Sequence, residues 1–168
     1  MNVTRYIQHD LIKLEMDSEF DPPEENEYSK RDLLNIKEVI LNELVELLDQ
    51  SGKVVNPHKL WLDLLNREKK ASTAIGQGIA IPHIRSLQAR DFILGIGRKL
   101  EGYEFESLDG KPVKLFFCMA APPYDDSLYL KVFKELALRF EFPGFVDKLL
   151  QAEDGHEIIR TFQEFEQA

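Results

Sequence analysis

The chain predicts an α/β fold, a single three-layer domain in which a mixed β-sheet lies between layers of α-helix. Two observations predict it. Amphipathic helical stretches come first, strand-like apolar runs cluster in the middle, and helices end the chain; that order suits a mixed sheet better than strict strand–helix alternation. At 168 residues and 43% hydrophobic content, the chain is also large enough to bury a real core. It therefore reads as one domain spanning 1–168, without a linker.

The elements follow in order. Residues 11–16 alternate apolar and charged after Leu11, as a half-buried strand does. An acidic loop at about 17–29 comes next. From Lys30 to about Gln50, Leu33, Ile36, Val39, Ile40, Leu44 and Leu47 recur at helical spacing, and Ser51-Gly52 closes that helix. Asn56-Pro57 opens a second helix running toward Arg67, with a capping side chain followed by proline in the first turn. Residues 71–80 are mostly small and lead into Ile79-Ala80-Ile81-Pro82-His83. Segments 92–97 and 113–119 read as buried strands, with a tight turn at Asp109-Gly110. After Pro122-Pro123, Asp125 or Asp126 caps a helix carrying Leu128, Val132, Phe133, Leu136 and Phe140. Short helices near 143–152 and 155–166 complete the chain.

Composition removes several functions. The net charge is −9, and six acids without a base fall between residues 17 and 27. Such a chain repels phosphate backbones and shows no basic stripe, so nucleic acid is not an expected partner. No apolar run is long enough to span a bilayer and no signal-peptide pattern opens the chain; a soluble, cytoplasmic protein without membrane insertion is expected. The single cysteine, Cys118, allows neither an internal disulfide nor a cysteine cage for zinc. His9, His58, His83 and His156 show no metal-ligand spacing, so no metal site is expected. Nucleotide-binding and hydrolase fingerprints are also missing.

His83 stands apart by its setting. Pro82 ends the apolar strand before it, which places the imidazole at a strand rim. Arg67 lies sixteen residues upstream, Ser72 and Thr73 supply hydroxyls, and Gly76 and Gly78 leave backbone N–H groups open to an anion. This set suits a phosphohistidine: one ring nitrogen attacks phosphorus, the other fixes the tautomer, and cations neutralise the phosphoryl oxygens. The same residues also have plain structural readings. His83 can be a packed strand-end residue, Arg67 can complement a helix dipole, and the hydroxyls can satisfy a turn.

The run from Arg67 through Glu68, Lys69, Ser72, Thr73, Gly76 and Gly78 to Ile81-Pro82-His83 resembles the active-site signature of enzyme IIA domains. These belong to the phosphoenolpyruvate-dependent phosphotransferase system, in its fructose/mannitol class with the nitrogen-regulatory branch. Gly110-Lys111-Pro112-Val113 echoes a further part of the pattern, and the similarity extends over the whole chain. The resemblance implies the enzyme IIA fold and a phosphocarrier or regulatory function, without a bound organic cofactor. His83 would accept a phosphoryl group from an HPr-type carrier, and Arg67 would position or stabilise it, with Ser72 and Thr73 beside them. The phosphoryl group would pass to an enzyme IIB domain, or its presence would signal to regulated target proteins. Ile84 is a candidate docking contact.

Two departures accompany the resemblance. Family members often carry a second histidine on the helix after the last central strand. Here that helix reads Ser127-Leu128-Tyr129-Leu130-Lys131-Val132-Phe133, and Lys131 is assigned the matching position. A lysine can hold a phosphoryl group as a point charge but not as a neutral hydrogen-bonding partner. The other departure is the acidic loop, an insertion at about 17–29. A different class of function also fits: a phosphorylation-independent binding module on the same fold, with His83 idle and the acidic loop or the Lys131 helix recruiting a partner.

Overall fold

The computed structural model describes residues 1–125 and 127–166. Its strands are β1 (Ile12–Lys13), β2 (Ala74–Gly76), β3 (Ile79–Ala80), β4 (His83–Arg85), β5 (Ile93–Tyr103) and β6 (Val113–Ala121). Its helices are α1 (Lys30–Asp49), α2 (Pro57–Lys70), α3 (Leu128–Phe140), α4 (Phe145–Gln151) and α5 (Gly155–Glu164). One mixed sheet runs β1-β5-β6-β3-β2, and β4 also pairs with β6. The long hairpin of β5 and β6 is antiparallel, as is the β2–β3 pair, while β1 runs parallel to β5 and β3 and β4 run parallel to β6.

Strand β6 shows why the fold has three layers. Phe116, Cys118 and Ala120 enter a core shared with α1 and α2. Their neighbours Leu115, Phe117, Met119 and Ala121 enter a second core shared with α3, α4 and α5. Successive side chains of a strand point to opposite faces, so an unbroken apolar run fills both cores. Gly95 and Gly97 in β5 let α1 lie close against the sheet. A Cβ on Gly95 would come within 2.8 Å of Leu48 Cδ2, and one on Gly97 within 3.2 Å of Leu44 Cδ2.

Local chemistry sets the helix starts. Ser29 Oγ accepts from the Asp32 amide at 3.0 Å, while the Asp32 carboxylate accepts from the Ser29 amide at 2.9 Å. This reciprocal box stabilises the start of α1 by about 1 kcal/mol. At α2, Asn56 Oδ1 accepts from the Lys59 amide at 3.0 Å and Pro57 fills the first helical position. Asp125 Oδ1 accepts from the Leu128 amide at 2.7 Å at the head of α3; the other expected cap, Asp126, lies outside the described residues.

The expected strand over residues 11–16 is cut to β1, because His9–Leu11 form a 3₁₀ turn and the chain bends at Leu14-Glu15 before the Met16 amide donates to the Arg98 carbonyl at 2.9 Å. The acidic segment that follows is tied down at its start. Glu43 of α1 accepts from the Asp17 and Ser18 amides at 2.7 and 3.0 Å and pairs with Lys13 at 2.9 Å. Phe20 packs edge-on against Tyr103, so the loop rests on β5 before it reaches α1. Among the described residues, no helix is long and apolar enough to cross a membrane.

Candidate functional site

Strands β3 and β4 lie end to end along one edge of β6. Ile79 and Ala80 pair with Leu115 and Phe116, and His83, Ile84 and Arg85 pair with Met119, Ala120 and Ala121. The break between them falls at Ile81-Pro82, since proline has no N–H to give a ladder. Pro82 still accepts from the Met119 amide at 2.8 Å. His83 therefore opens a new strand segment, where the sequence predicts a residue just past a strand's end.

The break frees the Ile81 peptide for other partners. Its N–H donates to the Thr73 carbonyl at 3.0 Å, and its carbonyl lies 2.6 Å from His83 Nδ1. A carbonyl can only accept, so Nδ1 carries the proton and Nε2 carries the lone pair. Burial holds the imidazole pKa below its ordinary value; the Ile81 bond and Glu68 oppose this, and the Arg67 charge adds to it. The ring is thus kept neutral, with its tautomer fixed. Phe133 meets it edge-on at 5.2 Å, and Tyr129 lies over it at 6.3 Å with the planes 30° apart.

A chain of buried hydrogen bonds stands behind Ile81. Glu68, in the last turn of α2, accepts from the Thr73 amide at 2.7 Å and from the Thr73 hydroxyl. Lys37 of α1 approaches the same carboxylate at 3.2 Å and reaches Glu106 at 2.9 Å. The Lys37 and Glu68 side chains are 5% and 1% exposed, so the pair belongs to the interior. Thr73 holds Ile81, and Ile81 holds His83.

The remaining expected residues fall as follows. Arg67 closes α2 by donating to the Ala71 carbonyl at 2.9 Å, near enough for its charge to act on His83. It lines a hollow of about 490 Å³ together with Lys70, Ile84, Arg85, Leu87 and Pro123. Ser72 Oγ donates to the Phe105 carbonyl at 3.0 Å and accepts from the Ala74 amide, so it serves the turn. Ile84 packs partly against the α1–α2 core. Lys131 is exposed on α3. The helical period puts it on the side away from Tyr129 and Phe133, which are four residues apart and share one face. The structure does not bring Lys131 to the imidazole; Tyr129 takes that place.

The glycine turn is also not part of the pocket. Gly76-Gln77-Gly78 joins β2 to β3 with positive φ throughout, and the Gln77 amide donates to Asp109 Oδ2 at 3.1 Å. The register of β3 and β4 on β6 places this turn on the order of 13 Å or more along the sheet from His83. Tyr129, Phe133, Arg85 and Glu68 are site residues that the sequence argument missed. The signal for the two aromatics was present: Tyr129 falls on the same helical stripe as Val132, Phe133 and Leu136. Among the described residues, no three or more His, Cys, Asp or Glu converge to hold a metal ion.

These features define a class: a three-layer α/β protein presenting a half-buried, tautomer-fixed histidine where a strand breaks at the sheet's edge. The model for the family described as "Phosphoenolpyruvate-dependent sugar phosphotransferase system, EIIA 2" matches residues 26–165, and the chain belongs to that family. It is 35% identical over 123 residues to the PTS system fructose-specific EIIABC component of Bacillus subtilis, covering 73% of this chain but only 19% of that protein. It is 33% identical to a nitrogen regulatory protein of Bradyrhizobium diazoefficiens, covering 74% of this chain and 81% of that one. Among solved structures, the nitrogen regulatory protein IIA-Ntr of Neisseria meningitidis superposes with a TM-score of 0.78 at 25% identity. That match covers 95% of this chain and 98% of the other.

Proposed function

We propose that the protein is a phosphohistidine carrier or regulator of the phosphotransferase system, a single domain working through His83. The observation that carries this reading is the 2.6 Å contact between His83 Nδ1 and the Ile81 carbonyl. It commits the proton to Nδ1 and leaves the Nε2 lone pair as the nucleophile. An HPr-type carrier brings the phosphoryl group on its own histidine. The Nε2 lone pair forms the new N–P bond as the donor's N–P bond breaks, and that electron pair stays on the donor nitrogen. His83 gains positive charge in this step, and the Ile81 carbonyl stabilises it through Nδ1–H. Arg67 offsets the charge spread over the phosphoryl oxygens. In transfer to an enzyme IIB domain the acceptor's nucleophile forms the new bond to phosphorus as the His83 N–P bond breaks and its electron pair returns to Nε2, whereas readout by a target protein is binding that leaves the N–P bond intact.

Incubation with phosphoenolpyruvate, enzyme I and an HPr-type carrier, followed by intact mass measurement, tests this. One acid-labile phosphoryl group is expected, absent in His83→Ala and acquired more slowly in Arg67→Ala. No mass gain with any carrier, together with equal partner binding by wild type and His83→Ala, would instead make the protein a binding module with an idle histidine.

A further inference from the structure

The face of the sheet edge that holds His83 carries a second cation, Arg85. His83 and Arg85 are two residues apart in β4, so they project from the same side of the strand, about 6.6 Å apart along it. Tyr129 of α3 bridges them. Its ring lies over the imidazole at 6.3 Å with 30° between planes, and the Arg85 guanidinium carbon sits 5.3 Å from the centre of that same ring. Arg85 Nη1 also donates to the Asp125 carbonyl at 3.3 Å. Among the described residues, no carboxylate comes within salt-bridge distance of Arg85 or Arg67. Both arginines line one hollow, Arg67 from α2 and Arg85 from β4, with Asp63, Lys70 and Ile84, the residue next to His83, between them. Arg67, Lys70 and Arg85 line this hollow against one carboxylate, Asp63, which accepts from the Ser86 hydroxyl at 2.6 Å, so in a chain of net charge −9 the hollow is a local cationic site.

We propose that Arg85 is a second phosphoryl-binding residue, which holds the group on His83 together with Arg67, with Tyr129 as the platform that orients it. This rests on the reading of His83 as the phosphoacceptor. A guanidinium resting over an aromatic ring is partly ordered already and loses little rotamer freedom when its remaining N–H groups bind anion oxygens. Two arginines can each take a phosphoryl oxygen as charge shifts from one histidine to the other.

The test uses phosphoramidate, a small phosphoryl donor, in parallel with the phosphorylated HPr-type carrier. Any role of Arg85 in docking a protein donor disappears in the phosphoramidate arm. Acceptance rates and phosphohistidine half-lives are measured for wild type, Arg85→Ala, Arg85→Lys, Tyr129→Phe and Tyr129→Leu, with Arg160→Ala on α5 as a remote control. Arg85→Ala is expected to slow acceptance about 10- to 100-fold with both donors. Arg85→Lys should recover part of this, and Tyr129→Phe should lose less than Tyr129→Leu because the ring remains. Tyr129→Leu should fall between wild type and Arg85→Ala. Arg85 is exposed and its removal leaves the core untouched, so unchanged thermal melting should accompany the loss. Wild-type rates in Arg85→Ala with phosphoramidate would overturn the inference while leaving His83 as acceptor. Tyr129→Phe as slow as Arg85→Ala would overturn it in favour of the tyrosine hydroxyl. Wild type that takes no phosphoryl group from either donor would overturn the functional reading and this inference with it.

Discussion

Replacing Lys37 by Met should destabilise the protein more than its place on a long surface helix suggests. The methionine keeps most of the side chain's length and apolar stem but removes the ammonium that faces Glu68 at 3.2 Å. Glu68 is 1% exposed at the side chain and keeps only its two Thr73 donors, so its carboxylate is left buried without a cation. Glu106, the other partner of Lys37, is half exposed and can turn to water, so it adds little. Removing one member of a buried pair costs about 3–5 kcal/mol. At about 2–4 °C per kcal/mol for a chain of this length, the melting midpoint should fall by about 6–20 °C. Urea unfolding with a shared slope measures the loss, and Lys37→Met with Glu68→Gln should recover part of it by neutralising the stranded charge. A loss below about 1 kcal/mol would refute the argument, since it would mean that Glu68 is stable in the interior without Lys37.

Further expectations follow from the same structure. Burial, with the Arg67 charge adding, holds the folded His83 pKa below its unfolded value, so the neutral nucleophile persists below the ordinary pH of about 6.5. Acceptance rates should hold at pH 6, and an acid limb centred at or above 6.5 contradicts this. The stability linked to this shift is complete above the unfolded pKa and is lost as pH falls through the folded one. Gly95→Ala pushes a Cβ to 2.8 Å from Leu48 Cδ2 and 3.3 Å from Leu47 Cδ2. It should cost about 1–3 kcal/mol in urea unfolding, and a neutral result would show that α1 can step back from the sheet. Burial pushes the Glu43 carboxyl up, but hydrogen bonds from Ser18, Asp17 and Lys13 outweigh it and hold the pKa below its ordinary value. Its stability is therefore present above the unfolded pKa and lost as pH falls through the folded one. Glu43→Gln should speed proteolysis within residues 17–29 at neutral pH, whereas unchanged cleavage there would mean Glu43 does not anchor the loop.

The sequence made the helices and the central hairpin readable because their causes are local. Ser29, Asp32, Asn56 and Pro57 are short-range signals, and the two-residue alternation of β6 needs only its own sequence. His83 and Arg67 were singled out through the run that joins them, and the structure sets Arg67 in the last turn of α2 and His83 at the start of β4. What escaped was long-range. The sequence cannot show that the Ile81 carbonyl, freed by Pro82, turns to the imidazole, or that Lys37 reaches Glu68 across two helices. Assigning Lys131 to the site was a matter of helical phase. The apolar stripe of α3 runs through Val132 and Phe133, and that phase carries Tyr129, not Lys131, over His83. The glycines at 76 and 78 suggested an anion cradle, but the Gln77 amide between them donates to Asp109 and the Gly78 carbonyl accepts from the Lys114 and Leu115 amides at the far end of the strand.

The central claim is that His83 reacts through Nε2 because the Ile81 carbonyl holds the proton on Nδ1. Phosphorylating protein labelled with ¹⁵N at histidine, and recording the two-bond and three-bond nitrogen–proton correlations of the ring, reads the modified atom directly. The account predicts the phosphoryl group on Nε2 of His83, with Nδ1 in the shift range of a hydrogen-bonded donor before the reaction. A phosphoryl group on Nδ1, or an unmodified His83 in protein that has taken up phosphate, would contradict it.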